Sequence, residues 1–173
     1  MFNASPFVGD LQAHLDSLGI VLDTSKCTSL ASMFYNAKTL TRVGDIDITS
    51  ASNANSIFYN CETLVEVGTF TTPDKTNFTF TNTFDKCSKL TTITFAGTIN
   101  NNINLGACPL SRASILSVFT TLSTTTTGKI CTFNKAAVDA AFETSAGAND
   151  GSASEEWLNM VESVRERWSI GFP

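Results

Sequence analysis

The stretch Phe34-Tyr35-Asn36-Ala37-Lys38-Thr39-Leu40-Thr41-Arg42-Val43 recurs as Phe58-Tyr59-Asn60-Cys61-Glu62-Thr63-Leu64-Val65-Glu66-Val67. It returns again as Phe84-Asp85-Lys86-Cys87-Ser88-Lys89-Leu90-Thr91-Thr92-Ile93. The shared frame is Phe-x-x-(Ala/Cys)-x-x-Leu-x-x-(Val/Ile), and its starts at 34, 58 and 84 lie 24 and 26 residues apart. A period of this length marks stacked supersecondary units, because one such unit is too small to bury its own apolar side. Phe34, Leu40, Phe58, Cys61, Leu64, Phe84, Cys87 and Leu90 are therefore expected to form the structural core. Residues three apart share one side of a helical turn, so the Phe-to-Leu part reads as one or two such turns. The runs that follow begin Val43-Gly44-Asp45-Ile46, Val67-Gly68-Thr69-Phe70 and Ile93-Thr94-Phe95. They alternate apolar and polar residues and read as strands with one buried face. Helical turn plus strand, once per unit, predicts an α/β solenoid whose strands stack into a parallel sheet.

Working outward, Asp10 reads as the N-cap of a short helix with Leu11, Leu15 and Leu18 on one face and Gly19 as its stop. That helix would cap an open end of the stack. Ile20-Val21-Leu22 reads as a short strand, and Cys27-Thr28-Ser29-Leu30 copies the Cys-x-x-Leu half of the frame as a degenerate unit. Beyond residue 100 the period lengthens. Residues 99–105, 129–133 and 168–172 read as strands, and Cys108 takes a Cys-like position before Pro109. Ser111 is a candidate cap for a helix with Ile115, Val118, Phe119 and Leu122 inward, and Asn134 for one running through Val138 to Phe142. Residues 146–152 read as a loop, and Ser152 with Glu155 as a capping box for a helix with Trp157, Leu158, Val161 and Val164 inward. A single domain over 1–173 results: a capping helix and strand in 1–21, repeats in 22–108, and larger strand–helix units in 109–173. The last part extends and caps the same sheet, or forms a small α/β domain of its own.

The bulk numbers narrow the function classes. A chain of 173 residues with 42% hydrophobic content supports a real core. Only 16% of the residues are charged, against about 25% in ordinary soluble proteins. Thr and Asn fill the gap, and such neutral, β-compatible surfaces are frequent in extracellular, adhesive and virion proteins. The net charge is −5 and the 11 Lys and Arg are scattered. Nucleic-acid binding requires a concentrated positive footprint, so it is set aside. No run approaches a membrane span. Met1-Phe2-Asn3-Ala4-Ser5-Pro6 lacks the marks of a secretory signal, which fits a chain released by lysis or one that begins inside a longer protein.

Candidate chemistry is sparse. His14 is the one histidine, and the five cysteines contain no Cys-x-x-Cys pair. Neither a metal site nor a histidine-based nucleophile is expected, and no cofactor. The exchange of Ala37 for Cys61 and Cys87 points to free thiols at a small buried position, with a Cys61–Cys87 bridge as the alternative. Asp45 with Asp47, or Glu62 with Glu66, could form the carboxylate pair of a glycosidase, but each reads better as part of a solvated face. Tyr35-Asn36 and Tyr59-Asn60 occupy one repeat position, so these four residues are the candidate binding ladder. The competing reading is that each Tyr merely packs over its neighbour. Asp85-Lys86 replaces the pair in the third unit.

The frame Phe-x-x-Cys-x-x-Leu-x-x-Val, preceded by Met33 or Ile57 and carrying Asn36 and Asn60, resembles the BspA-type leucine-rich repeats over residues 22–108. The stretch from Leu110-Ser111 to Trp168-Ser169-Ile170 is similar to the ends of such proteins encoded by phages and prophages. The resemblance implies a right-handed solenoid that binds or builds, with no catalytic residues. The expected function is a non-enzymatic structural or receptor-recognition module of a phage virion, in a tail, fibre or capsid decoration. Its expected partners are a protein or host-surface glycan, other virion proteins, and further copies of itself. A bacterial cell-surface or secreted adhesion domain cut from a longer chain is the alternative.

Overall fold

The computed structural model describes residues 9–142 and 154–173. Backbone pairing begins at β1 (Gly9–Asp10), which runs into α1 (Leu11–Ser17) and lies parallel to β2 (Leu40–Val43). β3 (Ile46–Asp47) continues the line of β2, and both pair with β4 (Glu66–Thr72), which pairs with β5 (Thr92–Gly97). β6 (Ile103–Leu105), β7 (Lys129–Phe133) and β8 (Trp168–Gly171) form a second parallel sheet. With α2 (Arg112–Thr121), α3 (Lys135–Phe142) and α4 (Glu155–Val164), the described residues hold four short helices. The fold is mixed α/β with parallel sheets, and neither sheet closes into a barrel.

The repeat frame sets the register. Val43 faces Val67, Ile46 faces Phe70, and Phe70 faces Phe95, so equivalent apolar residues stack from one coil to the next. All eight core residues named from the sequence are buried. Phe34 and Phe58 stack at 5.3 Å, Phe58 and Phe84 at 5.8 Å, and Phe70 meets Phe84 edge-on at 5.3 Å. Offset and edge-to-face rings of this kind add stability beyond their buried area.

The Phe-to-Leu segments are not helical. Residues 31–36, 55–60 and 81–86 are unbroken runs of tight turns. Ser32, Asn36, Ser56, Asn60, Asn82 and Lys86 all have positive φ, between 57° and 64°. Met33 N–H bonds the Leu30 carbonyl and Ala37 N–H the Phe34 carbonyl, each at 3.1 Å. A left-handed third residue inside such a bond is the pattern of a type II turn. The turns still send every third residue inward, which is why the core was correct while the conformation was not. They also rotate alternate amides sideways. Leu30, Ser32, Phe34 and Asn36 donate to the carbonyls of Asn53, Asn55, Ile57 and Tyr59 in the next coil. Ala54, Ser56, Phe58 and Asn60 donate in turn to Thr79, Thr81, Thr83 and Asp85. This register equates Leu30 with Ala54, so Cys27 to Leu30 leads the first unit and is not a degenerate copy of its second half.

Other expectations need correcting. The strand expected across 43–48 breaks at Gly44–Asp45. β4 bulges at the equivalent point, and the Asp45 carboxylate accepts the Thr69 N–H at 2.7 Å. A Cβ on Gly68 would lie 2.4 Å from that carboxylate, so glycine is required there by close approach. Residues 20–22 form no strand, and Val21 is 85% exposed. Asp10 does cap α1 and Gly19 does leave it at positive φ, but Leu18 faces solvent. Leu158 of α4 is exposed as well. Ser154 caps α4, and both Ser152 and the expected loop at 146–152 lie outside the described residues.

The C-terminal strands do not extend the first sheet, because α2 occupies its edge. Ser114 Oγ accepts the Ile93 N–H at 3.0 Å and Ser117 Oγ the Phe95 N–H at 3.1 Å. Ser111 N–H bonds the Thr91 carbonyl at 2.8 Å. Three serines at helical spacing thus serve β5 in place of another strand. Behind α2, Phe119 stacks on Phe133 and Trp157 meets both rings edge-on, giving the second sheet its own aromatic cover.

All five cysteines are unbridged. Cys61 Sγ lies 3.1 Å from the Phe34 carbonyl, Cys87 Sγ 3.1 Å from that of Phe58, and Cys108 Sγ 3.6 Å from that of Phe84. Each thiol therefore donates weakly to the coil before it. Ala37 stands in the first of these coils, and it has no thiol to donate. Burial pushes the Cys61 and Cys108 thiols up to about 12 and raises those of Cys87 and Cys131 too. Removing that burial on unfolding restores thiolate formation. On the folded protein, a thiol-specific disulfide reagent is expected to modify half-exposed Cys27 alone, and the buried four only in denaturant; fast labelling of Cys61 or Cys87 would contradict the packing. Phe58→Ala and Leu64→Ala should each cost about 2–5 kcal/mol in urea unfolding, since both side chains are fully buried.

Candidate functional site

The outer side of the turn column collects the repeated polar and aromatic residues. Positive φ at Asn36 and Asn60 holds the chain in a tight turn, and the preceding Tyr35 and Tyr59 project side by side. Their rings stack at 5.1 Å, 8° from parallel. Beside them Asn60 Nδ2 donates to Asn36 Oδ1 at 2.6 Å, and Lys38 pairs with Glu62 at 3.1 Å. The four ladder residues are thus brought together by the stacking of two coils. The third coil closes the ladder. Lys86, in the Asn position, sets its ammonium 5.2 Å over the Tyr59 ring, and Asp85 accepts from Asn104 at 3.0 Å. Tyr59 is therefore covered on both faces. Among the described residues Tyr35 is stacked on one face only, and it is 37% exposed, so it is the ring that can receive a partner. An aromatic face flanked by amides offers stacking and hydrogen bonds without net charge, which suits a sugar ring or a polar protein surface.

The carboxylates considered for catalysis have structural tasks. Asp45 holds the bulge amide of Thr69, and Asp47 accepts from both the amide and hydroxyl of Thr49. Glu66 pairs with Arg42 at 3.0 Å, Asp10 stands 3.6 Å from the same guanidinium, and the three charges cross neighbouring strands. These bonds tie the carboxylates to the sheet. His14 lies on the exposed side of α1. A hollow of about 550 Å³ opens between the start of α2 and the length of α3, with Arg112 the charged residue among the described residues of its wall. Among the described residues no group of three or more His, Cys, Asp or Glu is placed to hold a metal ion. No described helix is long and apolar enough to cross a membrane.

Two arrangements in the structure have only a weak signature in the sequence. The serine spacing 111, 114, 117 is visible in the sequence, but it marks only Ser111, as a helix cap. The thiol-to-carbonyl bonds were hidden because Cys and Ala read alike as small core residues. No known protein family, curated protein or solved structure matches the chain.

A double-mutant cycle on Tyr35→Ala and Tyr59→Ala, followed by urea unfolding, should give a coupling of about 0.5–1.5 kcal/mol. A coupling near zero would mean that the rings lie together without supporting each other.

Proposed function

We propose that the chain is a short, right-handed, leucine-rich-repeat-like solenoid that serves as a non-enzymatic structural or receptor-recognition module of a phage virion. The observation that carries this reading is the column of stacked coils, in which every repeat turns its apolar residues to the core and the first two turn Tyr and Asn to one outer ladder. Support comes from the period of the frame, from the parallel pairing of equivalent strands, and from the engagement of Asp45, Asp47 and Glu66 in backbone and ion-pair contacts. The neutral Thr- and Asn-rich surface fits a protein that works outside a cell. Its partner is a protein or a host-surface glycan, received on the open face of Tyr35 and the amides of Asn36 and Asn60.

The test has two arms. Mass spectrometry of purified particles from the producing lysate should find the chain at a fixed ratio to the major virion proteins. Its recovery in cell-surface or secreted fractions, with none in particles, would overturn the virion assignment and favour an adhesion domain. On a glycan and host-surface protein array, any ligand bound by the chain should lose about tenfold in affinity with Tyr35→Ala, the loss expected for one stacking contact.

A further inference from the structure

The third coil meets a different kind of neighbour from the first two. Leu30 and Ser32 donate to Asn53 and Asn55 of the second coil, and Ala54 and Ser56 donate to Thr79 and Thr81 of the third. The equivalent donors of the third coil are Phe80 and Asn82, and Asn82 keeps the φ of 57° found at Ser32 and Ser56. On that side stands β6. Cys108 Sγ reaches the Phe84 carbonyl at 3.6 Å and Asn104 Nδ2 donates to Asp85 at 3.0 Å, so β6 takes the place of a further row of turns. A strand paired with β7 does not present its carbonyls as a turn column does. Among the described residues, none accepts the N–H of Phe80 or Asn82.

The mismatch leaves a groove of about 260 Å³, with Phe80 and Asn82 on one side and Asn102, Ile103, Ile130 and Thr132 on the other. The contacts of Asn104 with Asp85 and of Cys108 with Phe84 draw the two walls together beyond Asn82. Ile130 and Thr132 alternate with buried Cys131 and Phe133, so they stand on the side of the second sheet away from Trp157. Asn102 Oδ1 accepts the Ile130 N–H at 3.0 Å, which leaves its Nδ2 to donate. The Asn82 amide and the Thr132 hydroxyl have no partner among the described residues. Every lining side chain is neutral. Bare amides are rare inside native folds, and a groove of this size holds more than a single water.

We propose that the groove binds a neutral sugar carrying an acetamido group. Donors set for the carbonyl of another coil are set for an amide oxygen, and the acetamido carbonyl supplies one to Phe80 or Asn82. Its methyl group packs against Phe80 and Ile103. The ring hydroxyls meet the side chains of Asn82, Asn102 and Thr132, which between them both donate and accept. Ile130, 48% exposed, covers an apolar face of the ring. A charged ligand would lose its hydration here without an opposite charge in return. A peptide strand is the poorer occupant, because the walls converge after two donors and deny it the longer row of bonds on which strand addition depends. The groove is a separate place from the open face of Tyr35.

The probes are N-acetylglucosamine and N-acetylgalactosamine, titrated into the full, isotope-labelled chain. At least one should give saturable shifts at the Phe80 and Asn82 amides and the Asn102 side chain, with a dissociation constant at or below about 10 mM. Glucose and galactose should bind at least about tenfold more weakly, since they lack the amide carbonyl. Asn102→Asp keeps an acceptor for Ile130 and removes the donor, and Thr132→Val removes the hydroxyl at constant shape. In variants with unchanged thermal unfolding, each should weaken binding by about threefold to tenfold. Tyr35→Ala should leave the affinity unchanged. Absence of saturable shifts, equal binding of the plain hexoses, full affinity in both groove variants, loss of binding in Tyr35→Ala, or tighter binding of a capped dialanine peptide would each overturn the proposal. None of these outcomes depends on whether the chain is found in virions.

Discussion

An amide that points sideways out of its own coil can be satisfied only by a neighbouring coil, and this constraint organises the repeat part of the molecule. The sideways amides exist because a left-handed residue recurs every fourth position, at Ser32 and Asn36, Ser56 and Asn60, Asn82 and Lys86. Each such residue costs about 1–2 kcal/mol in an isolated chain. Stacking offsets the cost by pairing four amides per interface and closing the Phe, Cys and Leu columns at once. No coil can hold that backbone alone. Cooperativity between repeats is therefore imposed by hydrogen-bond direction as well as by shared apolar area.

The same direction explains details that look unrelated. Cys61, Cys87 and Cys108 each stand where the Phe carbonyl of the preceding coil can take the S–H. Asp45 answers the amide that a one-residue bulge leaves over. The serines of α2 answer the amides that the last strand would have given to a further one. In each case a side chain completes a backbone pattern that the repeat itself leaves unfinished.

The columns were legible in the sequence because inward-facing positions depend on spacing, and three-residue spacing serves a helical turn and a chain of type II turns equally. The choice between them rested on Ser and Asn at every fourth residue, a weaker signal than the apolar frame and one that Lys86 breaks. Strands were read correctly from alternation where it is unbroken, as in β5. Alternation fails where Val67 and Phe70 stand three apart, at the bulge. For the C-terminal strands, local pattern identified β7 and β8 but said nothing of their partners, which are set by α2 standing in the way. Tyr35, Asn36, Tyr59 and Asn60 could be placed together because their period matched the core.

The serine closure of β5 also makes the array inheritable in one direction. A gene duplication that inserts another coil upstream of α2 adds an internal interface and leaves both ends as they are, because every coil offers the same donors and acceptors. A duplication that runs past Thr91 copies the stopper itself and strands a helix between two sheets. Length can therefore drift among descendants of such a chain by whole periods, while its C-terminal third stays fixed in size.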